Sequence, residues 1–234
     1  DSVASRGLGD VYKRQGCVKA DEKSGGIHLS SGHLAIHGCA EDMGDSVIAE
    51  GKLQGDEDAM LELATPKDGN KNKLVSTGAQ NDLKAKITIQ SDAILQIDDE
   101  KGAGSGAVTI ADKGELIINA NGNVANQLDG DGQITVNNEK SVELSGNNGG
   151  LSEKAKINLG DDATLLVKTP KDNLGKANVD TQNSGNVILE NPNGTIDATI
   201  AGKGNVDFSG LFELMPKTLE SFTGKLKGKD NSTL

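Results

Sequence analysis

Apolar and polar residues alternate along most of this chain in short runs broken by turns. The clearest run is Ala85 to Ile97, A-K-I-T-I-Q-S-D-A-I-L-Q-I. Ile87 and Ile89 alternate with polar residues, Gln90-Ser91-Asp92 interrupts, and Ala93, Leu95 and Ile97 resume the alternation. A period of two on both sides of a polar break predicts strand, turn, strand, with one apolar face. The pattern returns at Ala155 to Val167, A-K-I-N-L-G-D-D-A-T-L-L-V, identical at six of thirteen positions. D-A-M-L-E-L-A-T-P-K-D from Asp58 and D-A-T-L-L-V-K-T-P-K-D from Asp162 share seven of eleven.

Looser apolar ladders begin at Leu53, Val108 and Ile134, shorter ones at Ile27 and Val187, and an incomplete one at Val206. The starts at 27, 53, 87, 108, 134, 157, 187 and 206 are spaced by 19 to 34 residues and average about 26. Strand pairs repeating at that period predict a solenoid. A sandwich domain holds about seven to nine strands, whereas at least fourteen short ones are expected here. Stacked coils also tolerate insertions at their corners. Eight coils at roughly 4.8 Å each would extend roughly 40 Å. Ile, Val, Leu and Ala would fill the interior. Gly102–Gly106, Asn119–Asn123, Asp129–Gly132, Gly146–Gly150 and Asn191–Gly194 supply the turns, being rich in residues that accept positive φ or cap their own turns. Leu211 to Phe222 has apolar groups near helical spacing, but Pro216 breaks it, so a loop or short lateral helix is expected.

The composition narrows the partners. A net charge of −11 and a pI near 4.7 leave no basic stripe for nucleic acid. No run approaches the 18 apolar residues of a membrane-spanning helix. Residues 1–15 stand apart, because both arginines, Arg6 and Arg14, and the single tyrosine, Tyr12, lie there. R-G-L-G-D-V-Y-K-R-Q looks like translated sequencing-library adapter, the alternative being an ordinary N-terminal segment. The adapter reading sets 1–15 aside from fold and function and makes 16–234 an internal β-helix fragment, open at both ends.

Cys17 and Cys39 are 22 residues apart. That is close to one repeat, and it could stack them on neighbouring coils and allow a disulfide. Two unrelated thiols are the alternative. His28, His33 and His37 invite a metal reading. In an alternating strand, however, His33 and His37 would lie about 13 Å apart, whereas zinc holds each ligand at about 2.1 Å. Solvent-facing strand histidines are expected, with Leu34 and Ile36 inward.

Ile200-Ala201-Gly202-Lys203-Gly204-Asn205-Val206-Asp207-Phe208-Ser209-Gly210, followed by Ser221-Phe222-Thr223-Gly224-Lys225-Leu226, resembles the passenger domains of Gram-negative autotransporters. That family's pattern is a G-x-G turn, an alternating strand ending in Gly, then aromatic-Thr-Gly and a strand closed by G-T-L. Ser232-Thr233-Leu234 stands where G-T-L is expected, without its glycine. Leu128 to Val136 fits the same theme. The resemblance covers about residues 25 to 234. It implies a right-handed parallel β-helix, the hand that crossover connections generally prefer. It also implies export and display on the cell surface, or release from it. The full-length protein would be attached to an outer-membrane β-barrel; no barrel-like strands occur in this chain.

Other β-helix proteins are polysaccharide lyases and glycosidases. Beyond residue 15, though, the chain has no Arg, Trp or Tyr, and such enzymes want cations, or paired carboxylates with sugar-stacking aromatics. Asp98-Asp99-Glu100 and Asp161-Asp162 are expected to be solvated turn acids. A serine-protease constellation would need a separate globular domain. Asp129-Gly130-Asp131-Gly132 has carboxylates two apart but no downstream bidentate Glu for calcium. No helix follows Gly202-Lys203-Gly204 to make it a phosphate loop. The expectation is therefore a monomeric, extracellular structural or adhesive stalk. It would have no catalytic role and no cofactor, and would bind a surface protein or glycan. A β-helical carbohydrate-active enzyme with its site elsewhere, or another exported repeat adhesin, is the alternative.

Overall fold

The computed structural model describes residues 12–14, 27–36, 46–49, 52–66, 72–190, 195–210, 213–214 and 217–229. They form two compact units, Asp1–Ile117 and Ile118–Leu234. Each is a parallel β-solenoid of three-sided coils, as the alternating pattern predicts. The described residues make about seven turns, in line with the roughly eight expected.

The first unit holds β1 (Tyr12–Arg14), β2 (Ile27–Leu29), β3 (Gly32–Ile36), β4 (Ser46–Ala49), β5 (Leu53–Gly55) and β6 (Ala59–Leu63). It continues through β7 (Asn72–Ser76), β8 (Lys86–Ile89), β9 (Ala93–Ile97), β10 (Val108–Ile110) and β11 (Glu115–Ile118). One side carries β2 and β5, the next runs β1-β3-β6-β8-β10, and the third runs β4-β7-β9-β11.

The second unit holds β12 (Gly122–Val124), β13 (Leu128–Gly130), β14 (Gln133–Val136), β15 (Ser141–Leu144), β16 (Gly150–Leu151), β17 (Lys156–Leu159) and β18 (Thr164–Val167). After the short helix α1 (Pro170–Leu174) come β19 (Asn178–Asp180), β20 (Asn186–Leu189), β21 (Thr195–Ile196), β22 (Thr199–Ala201), β23 (Asn205–Phe208), β24 (Glu213–Leu214) and β25 (Lys225–Gly228). Here β14-β17-β19-β22 make one side and β12-β15-β18-β20-β23-β25 the next. The remaining side carries β13-β16, then α1, then β21-β24.

The interior follows from the alternation. Inward positions of successive coils stack like on like. Leu61 lies over Ile87 and Ile87 over Val108; Ile134, Ile157, Val179 and Ile200 form a column in the second unit. All but a trace of their surface is buried. Burial is worth about 25 cal/mol per Å² of apolar surface, so these columns hold the coils together.

The register corrects the period. Paired strands are offset by as few as 18 residues, where Thr195 meets Glu213, and as many as 27, where Gly32 meets Ala59. The ladder starts do not all stack. Ile27 lies on Leu53, but Ile87 lies on Leu61, one side further round the coil. In the second unit Ile134 lies on Ile157, whereas Val187 lies between Leu165 and Val206 on the following side. The spacings of 34 and 30 therefore count one coil plus one side.

Tight corners between strands share one turn. Asp92, Lys113, Glu139 and Asp162 have φ of 62°, 63°, 61° and 56°. The next residue's N–H reaches back across the turn, as in Ala93 N to Gln90 O (3.0 Å) and Ala163 N to Gly160 O (3.1 Å). The helix α1 was not anticipated: its five residues are too few for a period to show. In the segment expected to be a loop or short helix, Glu213–Leu214 form β24 and 217–220 turn; Pro216 lies outside the described residues.

Candidate interaction surface

The residues facing away from the interior form rows as regular as the columns inside. In the second unit one side presents Gln133, Lys156, Asn178 and Thr199 in register, and beside them Thr135, Asn158, Asp180 and Ala201. The next side presents Thr164, Asn186, Asn205 and Lys225, and beside them Leu166, Ile188, Asp207 and Lys227. Parallel stacking sets neighbours in a row about 4.8 Å apart. That is within reach for hydrogen bonding along the row. Thr199 Oγ1 donates to Asn178 Oδ1 (2.6 Å), and Asn205 Nδ2 to Asn186 Oδ1 (2.7 Å). Asn178 Nδ2 also donates to Glu153 O (2.6 Å). Lys168 Nζ meets Glu143 Oε2 at 2.9 Å. That hydrogen bond and the carboxylate's charge raise the lysine pKa above its ordinary 10.5.

In the first unit, Glu62 joins two coils. Its Oε2 lies 2.5 Å from His33 Nε2, and its Oε1 accepts from Gln90 Nε2 at 2.9 Å. His33 lies on the outward side of its strand, in register with exposed Met60, and is half-buried against Glu62; His28 is exposed. Ala35, on the outward row beside Glu62, is only 4% exposed, so the strict inward–outward split is softer in this strand. A shallow recess of about 40 Å³ is lined by Lys52, Leu53, Ala79, Gln80, Asn81 and Asp82. It has room for a water or two and no more.

Cys17, Cys39 and His37 lie outside the described residues. Asp161 and Asp162 are exposed at a tight corner. Their backbone N–H groups donate to Asn138 Oδ1 and Ser184 Oγ, each at 3.0 Å. Asp98, Asp99 and Glu100 are half-buried. The two carboxylates of Asp129-Gly130-Asp131 serve separate ends: Asp129 packs on Gly150, and Asp131 faces Lys154 at 3.8 Å. No three His, Cys, Asp or Glu side chains converge as metal ligands among the described residues. Gly202-Lys203-Gly204 is a coil corner. Gly202 has φ of 101°, and a Cβ at Gly204 would stand 2.0 Å from Gly185 O.

Reading the sequence missed the buried amides. Asn148 is fully buried, accepting from Leu128 N (2.7 Å) and donating to Asn173 O (2.9 Å). Asn173, 2% exposed, donates to Gly146 O (2.8 Å) and accepts from Thr169 N (2.9 Å). In the first unit Gln80 accepts from Leu53 N at 2.6 Å in the same manner. These side chains join one coil to the next at the corner ahead of a buried leucine.

No protein-family model, curated protein or solved structure matches the chain.

Proposed function

We propose that this chain is a structural and adhesive stalk of an exported, surface-displayed bacterial protein of the autotransporter-passenger kind, without a catalytic role of its own. The supporting observation is the set of outward rows. Thr, Asn, Asp and Lys side chains repeat coil by coil on parallel sheets. Several are held in place by hydrogen bonds along the row. Such rows present many equivalent polar contacts, each weak and together additive, to a surface protein or a glycan. A rigid interior of stacked aliphatics suits a spacer, because each coil leans only on its neighbours. The acidic charge of −11 suits solubility outside the cell and disfavours nucleic acid. The passenger-like segments 200–210 and 221–226 add the export and the outer-membrane barrel of the full-length protein to the proposal.

The test is retention of the labelled full chain on Gram-negative cells, epithelial cells and glycan-coated beads. Saturable retention is expected, weakened when Asn178, Thr199 and Asn205 are changed together to alanine with the circular dichroism unchanged. Absence of saturable retention, or retention indifferent to those changes, refutes the adhesive reading. Release of new reducing ends from a polysaccharide would instead support an enzyme.

A further inference from the structure

The pair Asn-Gly carries a chemistry of its own. The backbone nitrogen after an asparagine can attack that asparagine's side-chain carbonyl carbon, and glycine has no Cβ to hold the nitrogen away. Among the described residues the pair occurs at Asn121-Gly122 and Asn148-Gly149, both in the second unit; Asn193-Gly194 lies outside them. The fold treats the two oppositely. Asn148 is wholly buried and held at both ends of its amide, accepting from Leu128 N and donating to Asn173 O. Asn121 is exposed, immediately ahead of β12. Gly122, the first residue of that strand, has φ of 122°, which is not extended backbone. Ser141 N donates to Asn121 Oδ1 at 2.8 Å. A backbone N–H at that distance polarises the Cγ carbonyl and stabilises the oxygen anion that forms when Cγ is attacked.

We propose that Asn121 is a site of spontaneous succinimide formation, and that its isoaspartate product unclasps β12 from β15. Gly122 N gives up its proton to hydroxide and bonds to Asn121 Cγ. The Cγ–Nδ2 bond breaks, and ammonia leaves with a proton supplied by water. One water then opens the ring. Breaking the new bond from Gly122 N to Cγ gives aspartate; breaking the bond from Gly122 N to the main-chain carbonyl carbon gives isoaspartate, with the chain running through Cβ and Cγ. The two products act differently on the coil. Aspartate keeps an oxygen for the Ser141 N–H. Isoaspartate adds a methylene to the main chain directly before a strand registered residue for residue, Gly122 on Val142, Asn123 on Glu143 and Val124 on Leu144. Sides alternate with a period of two, so a slip along β12 cannot keep Val124 inward and its pairing intact. Asn123 Oδ1, which accepts from Ser145 Oγ at 2.7 Å, is drawn off with it. The site shares no residue with the rows on which the adhesive reading rests, so either proposal can fail alone.

The experiment incubates the full chain in warm, mildly alkaline buffer, folded and in urea, and follows it by peptide-mapping mass spectrometry. Cleavage after Lys113, Lys140 and Lys154 puts the two Asn-Gly pairs on separate peptides, and fragmentation places the mass change. In the folded chain Asn121 should convert about tenfold or more faster than Asn148, whose two hydrogen bonds must first break. In urea the two should convert alike. Amide exchange should quicken at residues 122–124 in the isoaspartyl fraction and stay native in β20. Asn121→Asp, which carries the new charge on an ordinary backbone, should keep native exchange at 122–124. The proposal is overturned if Asn121 stays an amide in the folded chain while the chain in urea converts, if Asn148 converts as fast, or if the isoaspartyl fraction exchanges at 122–124 like the native chain.

Discussion

Replacing Asn148 with alanine tests whether the buried amides hold the coils together or merely fill a corner. In the native chain Asn148 Oδ1 accepts from Leu128 N at 2.7 Å and Nδ2 donates to Asn173 O at 2.9 Å, with the side chain wholly buried. Asn148→Ala leaves the Leu128 N–H and the Asn173 C=O without the side-chain partner each has in the native chain. Each orphaned group costs about 1–3 kcal/mol, so a loss of about 2–6 kcal/mol is expected. Asn205→Ala is the control. It removes a hydrogen bond of the same length, to Asn186, from a half-buried outward row where water can replace it. A loss within about 0.5 kcal/mol is expected there. Asn148→Leu separates the polar loss from the lost volume, because it fills the space and restores neither bond. Urea unfolding followed by far-UV circular dichroism gives the ranking, and amide exchange at Leu128 localises it. If Asn148→Ala costs no more than Asn205→Ala, or if Asn148→Leu restores native stability, the coil-to-coil role is wrong.

Other changes probe the rest of the frame. Ile157→Ala, in the column between Ile134 and Val179, should cost about 2–5 kcal/mol; amide exchange should rise more in β14 and β19 than in β25, since coils couple to nearest neighbours. Gly146→Ala should cost about 1–3 kcal/mol or more in urea unfolding, because its Cβ would stand 1.9 Å from the backbone oxygen of Asn126, far inside van der Waals contact. Lys113→Gly should raise the unfolding free energy measured in urea by about 0.5–1 kcal/mol, because relief of left-handed strain at φ 63° exceeds the added unfolded entropy. The Lys168–Glu143 pair raises the lysine pKa. Its contribution should thus be whole below the ordinary value of 10.5 and fade as pH climbs through the raised one; Glu143→Gln should return the Lys168 titration, followed by NMR, toward the ordinary value.

Strand pairs and their inward residues were legible because alternation is a local property: Ile87, Ile89, Ala93, Leu95 and Ile97 are all buried as the pattern requires. The phase of the coil was not legible. Every side of a three-sided coil alternates in the same way, so two strands around a tight corner read alike whichever corner it is. In the first unit β5 and β6 make the tight pair at Leu53, while β8 and β9 make it at Ile87, one corner on. The eye aligns Leu53 with Ile87; the backbone aligns Leu61 with Ile87. Only the lengths of the intervening connections carry the difference. These vary because an insertion at a corner leaves the inward register intact. The outward rows were hidden for the same reason, since a row exists only once the phase is known.

The buried amides were hidden by composition. Asn in a Gly-rich stretch reads as a turn former, and Asn148 sits between Asn147 and Gly149. Their signal is a spacing. Asn126, Asn148 and Asn173 are buried and precede the buried leucines Leu128, Leu151 and Leu174 by one to three residues; Gln80 precedes Leu83 in the same way. A closed corner turns backbone donors and acceptors inward, where no water reaches them. A carboxamide carries both kinds of group on one short arm, so it can accept from the coil before and donate to the coil after. Threonine reaches the next coil twice with a single oxygen: Thr181 Oγ1 donates to Ala201 O at 2.9 Å and accepts from Gly204 N at 3.1 Å. Coils that must close tightly, and that vary in length by as much as nine residues between register offsets of 18 and 27, are thus pinned at one corner by a polar side chain. The aliphatic columns supply most of the burial, but any aliphatic stacks on any other; the amides and hydroxyls make the coil-to-coil register specific.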